Sequence, residues 1–182
     1  MKELSLNVLD ITENSVKAGA TLTEISITET DTELIISIKD NGCGMSEEIL
    51  MSVTDPFYTT RTTRRVGLGI PLFKLAAEMT GGRLEIKSRT KDMDPEGHGT
   101  AVTAYFFKNH IDFTPLGDIV STLTTLIRGH AEVDFLFTHE KDGRCVTLDT
   151  RELRAMLEDV PLDTYEVIKW IEGYLEEQYD NL

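Results

Sequence analysis

Mixed α and β structure is predicted by three features of this sequence: a helical stripe near the N-terminus, paired Ile-rich segments, and Gly-x-Gly pairs between elements. From Leu4 to Ala18 the apolar residues Leu4, Val8, Ile11 and Ala18 recur near helical spacing, and Gly19 supplies a stop. Residues 24–30 and 33–39 concentrate Ile around a short Asp31-Thr32 connection, which reads as a hairpin. Asp40 to Met45 is a turn-rich break. Ser46 followed by Glu47 and Glu48 reads as the cap and acidic first turn of a short helix. Residues 54–66, with Pro56, several Thr and three Arg, show no period and read as a mobile loop. Leu72, Leu75, Ala76 and Met79 then form a helical apolar face, with Pro71 in its first turn and Gly81-Gly82 closing it. Residues 84–88 and 100–107 read as strands joined across a polar loop that ends in Gly97-His98-Gly99.

Residues 108–114 form the best boundary, which divides the chain at 108/109 into a first domain and a smaller acidic α/β module. Beyond it the pattern predicts a helix near 116–128, strands near 132–138 and 144–148, and helices near 150–158 and 163–179. No internal repeat is evident.

The 182 residues suffice for one good core and a small appendage. Nothing reads as a membrane anchor or secretory leader, so a cytoplasmic location and no membrane partner are expected. Cys43 and Cys145 are too few for a disulfide framework and too far apart for metal-ligand spacing. The net charge of -14 argues against nucleic acid, whose phosphates need clustered Lys and Arg. Acid is unevenly spread: residues 1–107 carry -5 and residues 108–182 carry -9. Within the first part, residues 56–77 hold Arg61, Arg64, Arg65 and Lys74 and no acid, which leaves a local positive field for an anionic ligand.

Asp10, Glu13, Asn14 and Lys17 fall at i, i+3, i+4 and i+7 and line one helical stripe. None of the pairs Gly42/Gly44, Gly67/Gly69 and Gly97/Gly99 completes a P-loop or a dinucleotide-binding glycine motif. Chemical meaning comes from an ordered set: Asp10-x-x-x-Asn14-x-x-Lys17, Asp40-x-Gly42-x-Gly44, Asp55-Pro56-Phe57-Tyr58-Thr59-Thr60, Gly67-Leu68-Gly69-Ile70, and Gly99-Thr100. This set resembles the successive boxes of the histidine-kinase-like ATPase superfamily, which groups gyrase, heat-shock chaperones, histidine kinases and mismatch-repair ATPases. Glu13-Asn14-Ser15 and Ala18-Gly19-Ala20 look like the mismatch-repair branch. Lys17, the Phe57-Tyr58-Thr59-Thr60-Arg61 loop and Gly81-Gly82-Arg83-Leu84-Glu85-Ile86 look more like histidine kinases.

The resemblance implies a Bergerat-type, two-layer α/β sandwich: a mixed, mostly antiparallel sheet with helices on one face. It also implies ATP and Mg²⁺ as ligands. Asn14 would offer a neutral amide oxygen to Mg²⁺ and Lys17 a charge to a phosphate. Asp40 would accept the exocyclic amino group of adenine, with Gly42 and Gly44 letting the backbone approach the ring. Thr100 would add a water-mediated contact to the base or serve as an ordinary strand residue. The Gly67, Leu68, Gly69 and Ile70 amides, opening a helix, would hold phosphate oxygens, and Thr60 would close over them from a lid. Cys43 reads as a small packed residue within that turn.

Asp10 departs from the pattern, because ATPase branches usually carry Glu there and many histidine kinases Asn. Its carboxylate is one methylene shorter, so a general base, a role behind the metal's ligands and a structural role all stay open. A complete histidine kinase carries a two-helix dimerisation segment with its phosphoacceptor His upstream of this domain, and only a few residues precede the first box here, so a self-contained histidine kinase is not expected; the resemblance implies a kinase that acts on a partner protein, with a homodimer possible. His139-Glu140, similar to a phosphoacceptor dipeptide, falls in an expected hairpin loop. The function implied is an MgATP-dependent phosphotransferase in signalling; the alternatives are a non-catalytic ATP-sensing regulator and a slow ATPase.

Overall fold

The computed structural model describes residues 2–54 and 68–182. In chain order these form α1 (Leu4–Lys17), β1 (Leu22–Glu29), β2 (Glu33–Asp40), α2 (Glu47–Thr54), α3 (Gly69–Met79), β3 (Arg83–Arg89), β4 (Gly99–Phe107), α4 (Ile119–Gly129), β5 (Asp134–Lys141), β6 (Arg144–Asp149), α5 (Thr150–Leu157) and α6 (Tyr165–Asp180). The strands make one sheet of order β3-β4-β2-β1-β5-β6, antiparallel throughout except where β5 lies parallel to β1. The architecture is the expected mixed, mostly antiparallel α/β arrangement.

Alternation of side chains along each strand decides what the sheet shows to the helices. Ile27, Ile36, Ala104 and Leu84 stand in register across four strands, and Ile25, Ile38, Val102 and Ile86 form the next row. These rows pack against Leu4, Val8 and Ile11 of α1 and Phe73 and Ala77 of α3 in a single core. One step further along, the inward row turns polar: Thr23, Asp40, Thr100 and Ser88. Asp40 therefore faces the helices by the same period that buries Ile36 and Ile38.

The chain beyond residue 108 continues this sheet and core. Phe135 and Phe137 of β5, Val146 and Leu148 of β6, and Leu123, Leu126 and Ile127 of α4 belong to the same cluster. The first amides of α1 lack a side-chain cap; those of Leu4 and Ser5 donate to the carbonyls of Pro115 and Leu116 at 2.9 and 2.8 Å. The boundary expected at 108/109 thus falls between elements that share hydrogen bonds and packing.

His139 overturns one local expectation. It lies within β5, almost wholly buried, rather than in a hairpin loop. The turn is Asp142-Gly143, where both residues have positive φ, 51° and 76°. The imidazole approaches Glu29 Oε2 at 3.3 Å and the Tyr179 hydroxyl at 2.9 Å, while Lys108 Nζ reaches Glu29 Oε1 at 2.6 Å. Burial pushes the His139 pKa down more strongly than Glu29 raises it, and burial pushes the Tyr179 hydroxyl up. One neutral tautomer satisfies both neighbours: Nε2–H donates to Glu29, and Nδ1 accepts from Tyr179.

Candidate functional site

The polar end of the inward sheet face is organised around Asp40, which is 9% exposed. Three groups donate to its carboxyl. The Gly42 and Thr100 amides reach Oδ1 at 2.9 and 3.2 Å, and the Ser15 hydroxyl reaches Oδ2 at 2.7 Å. A carboxylate offers about four lone-pair sites, so three donors leave one acceptor position free on Oδ2. No cation among the described residues forms an ion pair with Asp40. Ser15 was not singled out in its own right by the sequence reading, although it extends the Leu4, Val8, Ile11 stripe by one turn and faces the sheet for that reason.

The turn after β2 is held by close backbone contacts. Asn41 Oδ1 accepts from the Thr21 and Leu22 amides at 2.9 and 3.0 Å, which fastens the start of β1 to the end of β2. A Cβ on Gly42 would come within 2.9 Å of Ala18 Cβ, so the turn lies directly on the end of α1. Gly44 has φ of 69°, and a Cβ there would sit 2.0 Å from the Arg89 carbonyl oxygen. Its requirement for glycine comes from packing on the end of β3. Cys43 between them is exposed, contrary to the expected packed position, because the close contacts fall to the glycines on either side.

α1 also meets the start of α3. A Cβ on Gly69 would lie 3.3 Å from Asp10 Cβ and 3.6 Å from Asn14 Nδ2, so the sequence-distant residues Asp10, Asn14 and Gly69 are brought together. α3 has no side-chain cap at Leu68, which leaves first-turn amides and the positive end of the helix dipole at this junction. Lys17 is exposed in the last turn of α1. Glu13, expected on the same stripe, instead turns to His130 Nε2 at 2.8 Å. Leu68 projects into solvent and Ile70 is buried in the core, so any contribution of these two to a ligand is through backbone. Thr60 and Gly67 lie outside the described residues, as does the expected lid.

A cleft of about 440 Å³ opens beside Asp40, with Thr100, Ser88, Leu50 and the 97–99 loop in its wall. Asp10, Asn14 and Lys17 do not line it; they lie on the α1–α3 side. Two further residues escaped the sequence reading. Ser88 accepts from the Met45 amide at 2.7 Å and lies 2.8 Å from the Thr100 hydroxyl, which links the turn after Gly44 to β4. Its signal was legible, since it continues the inward positions of Leu84 and Ile86. His98 Nδ1 lies 2.6 Å from the Gly42 carbonyl oxygen. The loop carrying it is ordered by Asp94, whose carboxyl is held below its ordinary value first by the Gly97 amide and then by Arg89.

The family model described as histidine kinase-, DNA gyrase B-, and HSP90-like ATPase matches residues 2–111. The chain belongs to this family. Similar curated proteins include sensor protein KdpD of Clostridium acetobutylicum, 32% identical over 90 residues, covering 47% of this chain and 10% of that protein. Sporulation kinase C of Bacillus subtilis is 32% identical over 88 residues, covering 48% and 20%. Sensor protein SrrB of Staphylococcus aureus is 36% identical over 95 residues, covering 48% and 16%. The chain thus spans a fifth or less of these relatives, and the ATPase domain is the part shared with histidine kinases. Among solved structures, the Aquifex aeolicus MutL ATPase domain complexed with ADP aligns with a TM-score of 0.53 at 18% identity, over 87% of this chain and 68% of that one. That likeness extends well past residue 111 and concerns the fold. Among the described residues no helix is long and apolar enough to cross a membrane.

Proposed function

We propose that this chain binds MgATP between α1, the start of α3 and the Asp40 end of the sheet, and transfers phosphate to a partner protein. The observation that carries the nucleotide reading is the fixed Asp40 carboxyl with one acceptor site to spare, held by Ser15, which follows Asn14 on α1. Adenine presents an amino group to such an acceptor; guanine presents a carbonyl at the same place and is disfavoured. Gly42, Gly44 and Thr100 shape and hold this acceptor, Thr100 through its amide.

The residues suit a phosphate-bound magnesium. Asn14 supplies a neutral oxygen donor, and a single protein ligand fits an ion that keeps several waters and takes others from phosphates. Bound magnesium would neutralise phosphate charge. Lys17 would pair with a phosphate oxygen, and the amides at the start of α3, Gly69 among them, would receive another. Gly67 and Thr60 keep their proposed roles in the same phosphate site. Asp10, whose Cβ lies close to Gly69, would orient or deprotonate a group arriving at the terminal phosphate.

A second reading, an ATP-sensing regulator without chemistry, is favoured by the Glu13–His130 contact, which joins the nucleotide helix to the C-terminal half. Slow hydrolysis is the third outcome, and the short Asp10 side chain argues for a low rate. Incubating the protein with γ-labelled ATP, alone and with candidate partner proteins, separates the three. Label on a partner supports transfer; free phosphate alone supports hydrolysis; binding without either supports sensing. An Asp10→Ala variant with unchanged chemistry would remove Asp10 from the catalytic assignment.

A further inference from the structure

We infer that the cleft between α5 and α6 is a docking site for an arginine- or lysine-rich segment of a partner protein. The cleft encloses about 300 Å³ on the far edge of the sheet, with Leu136 of β5 at its base, Glu152 and Met156 of α5 on one side and Trp170 and Tyr174 of α6 on the other. It lies on β6, three strands from Asp40, so it is independent of the nucleotide reading.

The aromatic wall is only partly used by the core. α6 buries Val167, Ile168, Ile171 and Leu175, a complete helical stripe; Tyr174 packs half-buried against that core, whereas Trp170 stands off it. Their rings stack with centroids 5.0 Å apart and planes 11° from parallel. Trp170 remains 52% exposed and Met156 68% exposed. In such a stack each ring covers one face of the other, and the half-exposed indole of Trp170 offers the face of its π system that attracts guanidinium and ammonium groups.

Charge selects the same occupant. Residues 149–182 hold ten acidic and three basic side chains, a net -7 that is half of the chain's -14. Asp149 is engaged by Arg151 at 2.7 Å, whereas Glu152 in the cleft wall forms no ion pair among the described residues. Glu158, Asp159 and Asp163 on the α5–α6 connection are exposed and extend the negative field beyond the rim. Strand addition is blocked on this stretch of edge, because the Gln178 side chain accepts from the Thr147 amide at 3.0 Å and donates to its carbonyl at 3.1 Å. A partner engages by inserting side chains between the two helices, with its cations over the rings and beside Glu152.

The chain has a single tryptophan, so its emission reports on this cleft alone. The probe is a synthetic peptide alternating arginine with leucine; the control carries glutamate in place of arginine. The arginine peptide is expected to change Trp170 emission saturably and to bind more weakly as salt rises. Glu152→Lys and Met156→Lys, both at exposed positions, are expected to weaken it about tenfold while far-UV dichroism and ATP affinity stay unchanged. A flat titration, equal binding of the glutamate peptide, or wild-type binding by both variants would overturn the proposal. An emission change that follows protein concentration without peptide would assign the cleft to self-association and overturn it as well.

Discussion

Ser15 contributes one of three hydrogen bonds that orient Asp40, and it does so from the buried face of α1. In Ser15→Ala the carboxyl loses its only donor on Oδ2. Stability is expected to fall by about 1 kcal/mol and ATP affinity by about three- to tenfold, measured by urea unfolding and by calorimetric titration. Gly44→Ala tests a different force, since it combines a left-handed backbone with a Cβ inside the Arg89 carbonyl. A loss of at least about 2 kcal/mol is expected in the same unfolding assay. At His139 burial depresses the folded-state pKa below the ordinary 6.5. The unfolded chain then takes up more protons in acid, so stability present above 6.5 is lost as pH falls. Glu29 is depressed too: burial works to raise it, but the Lys108 hydrogen bond and charge win, and its contribution is lost below 4.5 in the same direction. The thermal midpoint is expected to drop between about pH 7.5 and about pH 5, and to drop less in His139→Gln.

Elements were more legible in the sequence than their neighbours in space. Every helix and strand expected from periodicity is present, with ends shifted by a few residues, because the apolar stripes of α1, α3 and the Ile-rich strands agree with local propensity. The β5–β6 connection is expected too long, over 139–143, although Asp142-Gly143 alone carries the turn signal, so His139 falls in the expected loop and not in the strand. What periodicity could not reveal is which strands pair. Nothing local in residues 134–141 marks them as the parallel neighbour of β1, which rests on long-range packing of Phe135 and Phe137. Within the candidate site, the glycine-flanked Asp40 and the Asn14 stripe were readable as types and spacings. The grip of Ser15, Ser88 and His98 was not noticed, since each is a common residue whose meaning depends on the row it joins. For α3, Phe73 is fully buried against Phe106, with ring centroids 5.8 Å apart. Phe73→Ala is expected to cost about 3–5 kcal/mol and to weaken nucleotide binding by loosening the helix that carries Gly69.

At the scale of the whole molecule, the family match ends near residue 111 but the sheet does not. Residues 115 and 116 cap α1, α4 packs on it, and β5 covers what would otherwise be a bare edge of β1. A fragment of residues 1–108 is expected to aggregate or to lose its cooperative unfolding transition, measured by sedimentation and calorimetry. The same continuity would give the nucleotide occupancy proposed at α1 a physical route to the acidic half of the chain. Calorimetric titration of the purified protein with ATP, ADP and GTP in magnesium, repeated on Asp40→Asn, tests the central claim. ATP and ADP are expected to bind, GTP at least about tenfold more weakly, with the adenine preference lost in the variant. No heat from either adenine nucleotide at any magnesium concentration, or an unchanged preference in Asp40→Asn, would contradict it.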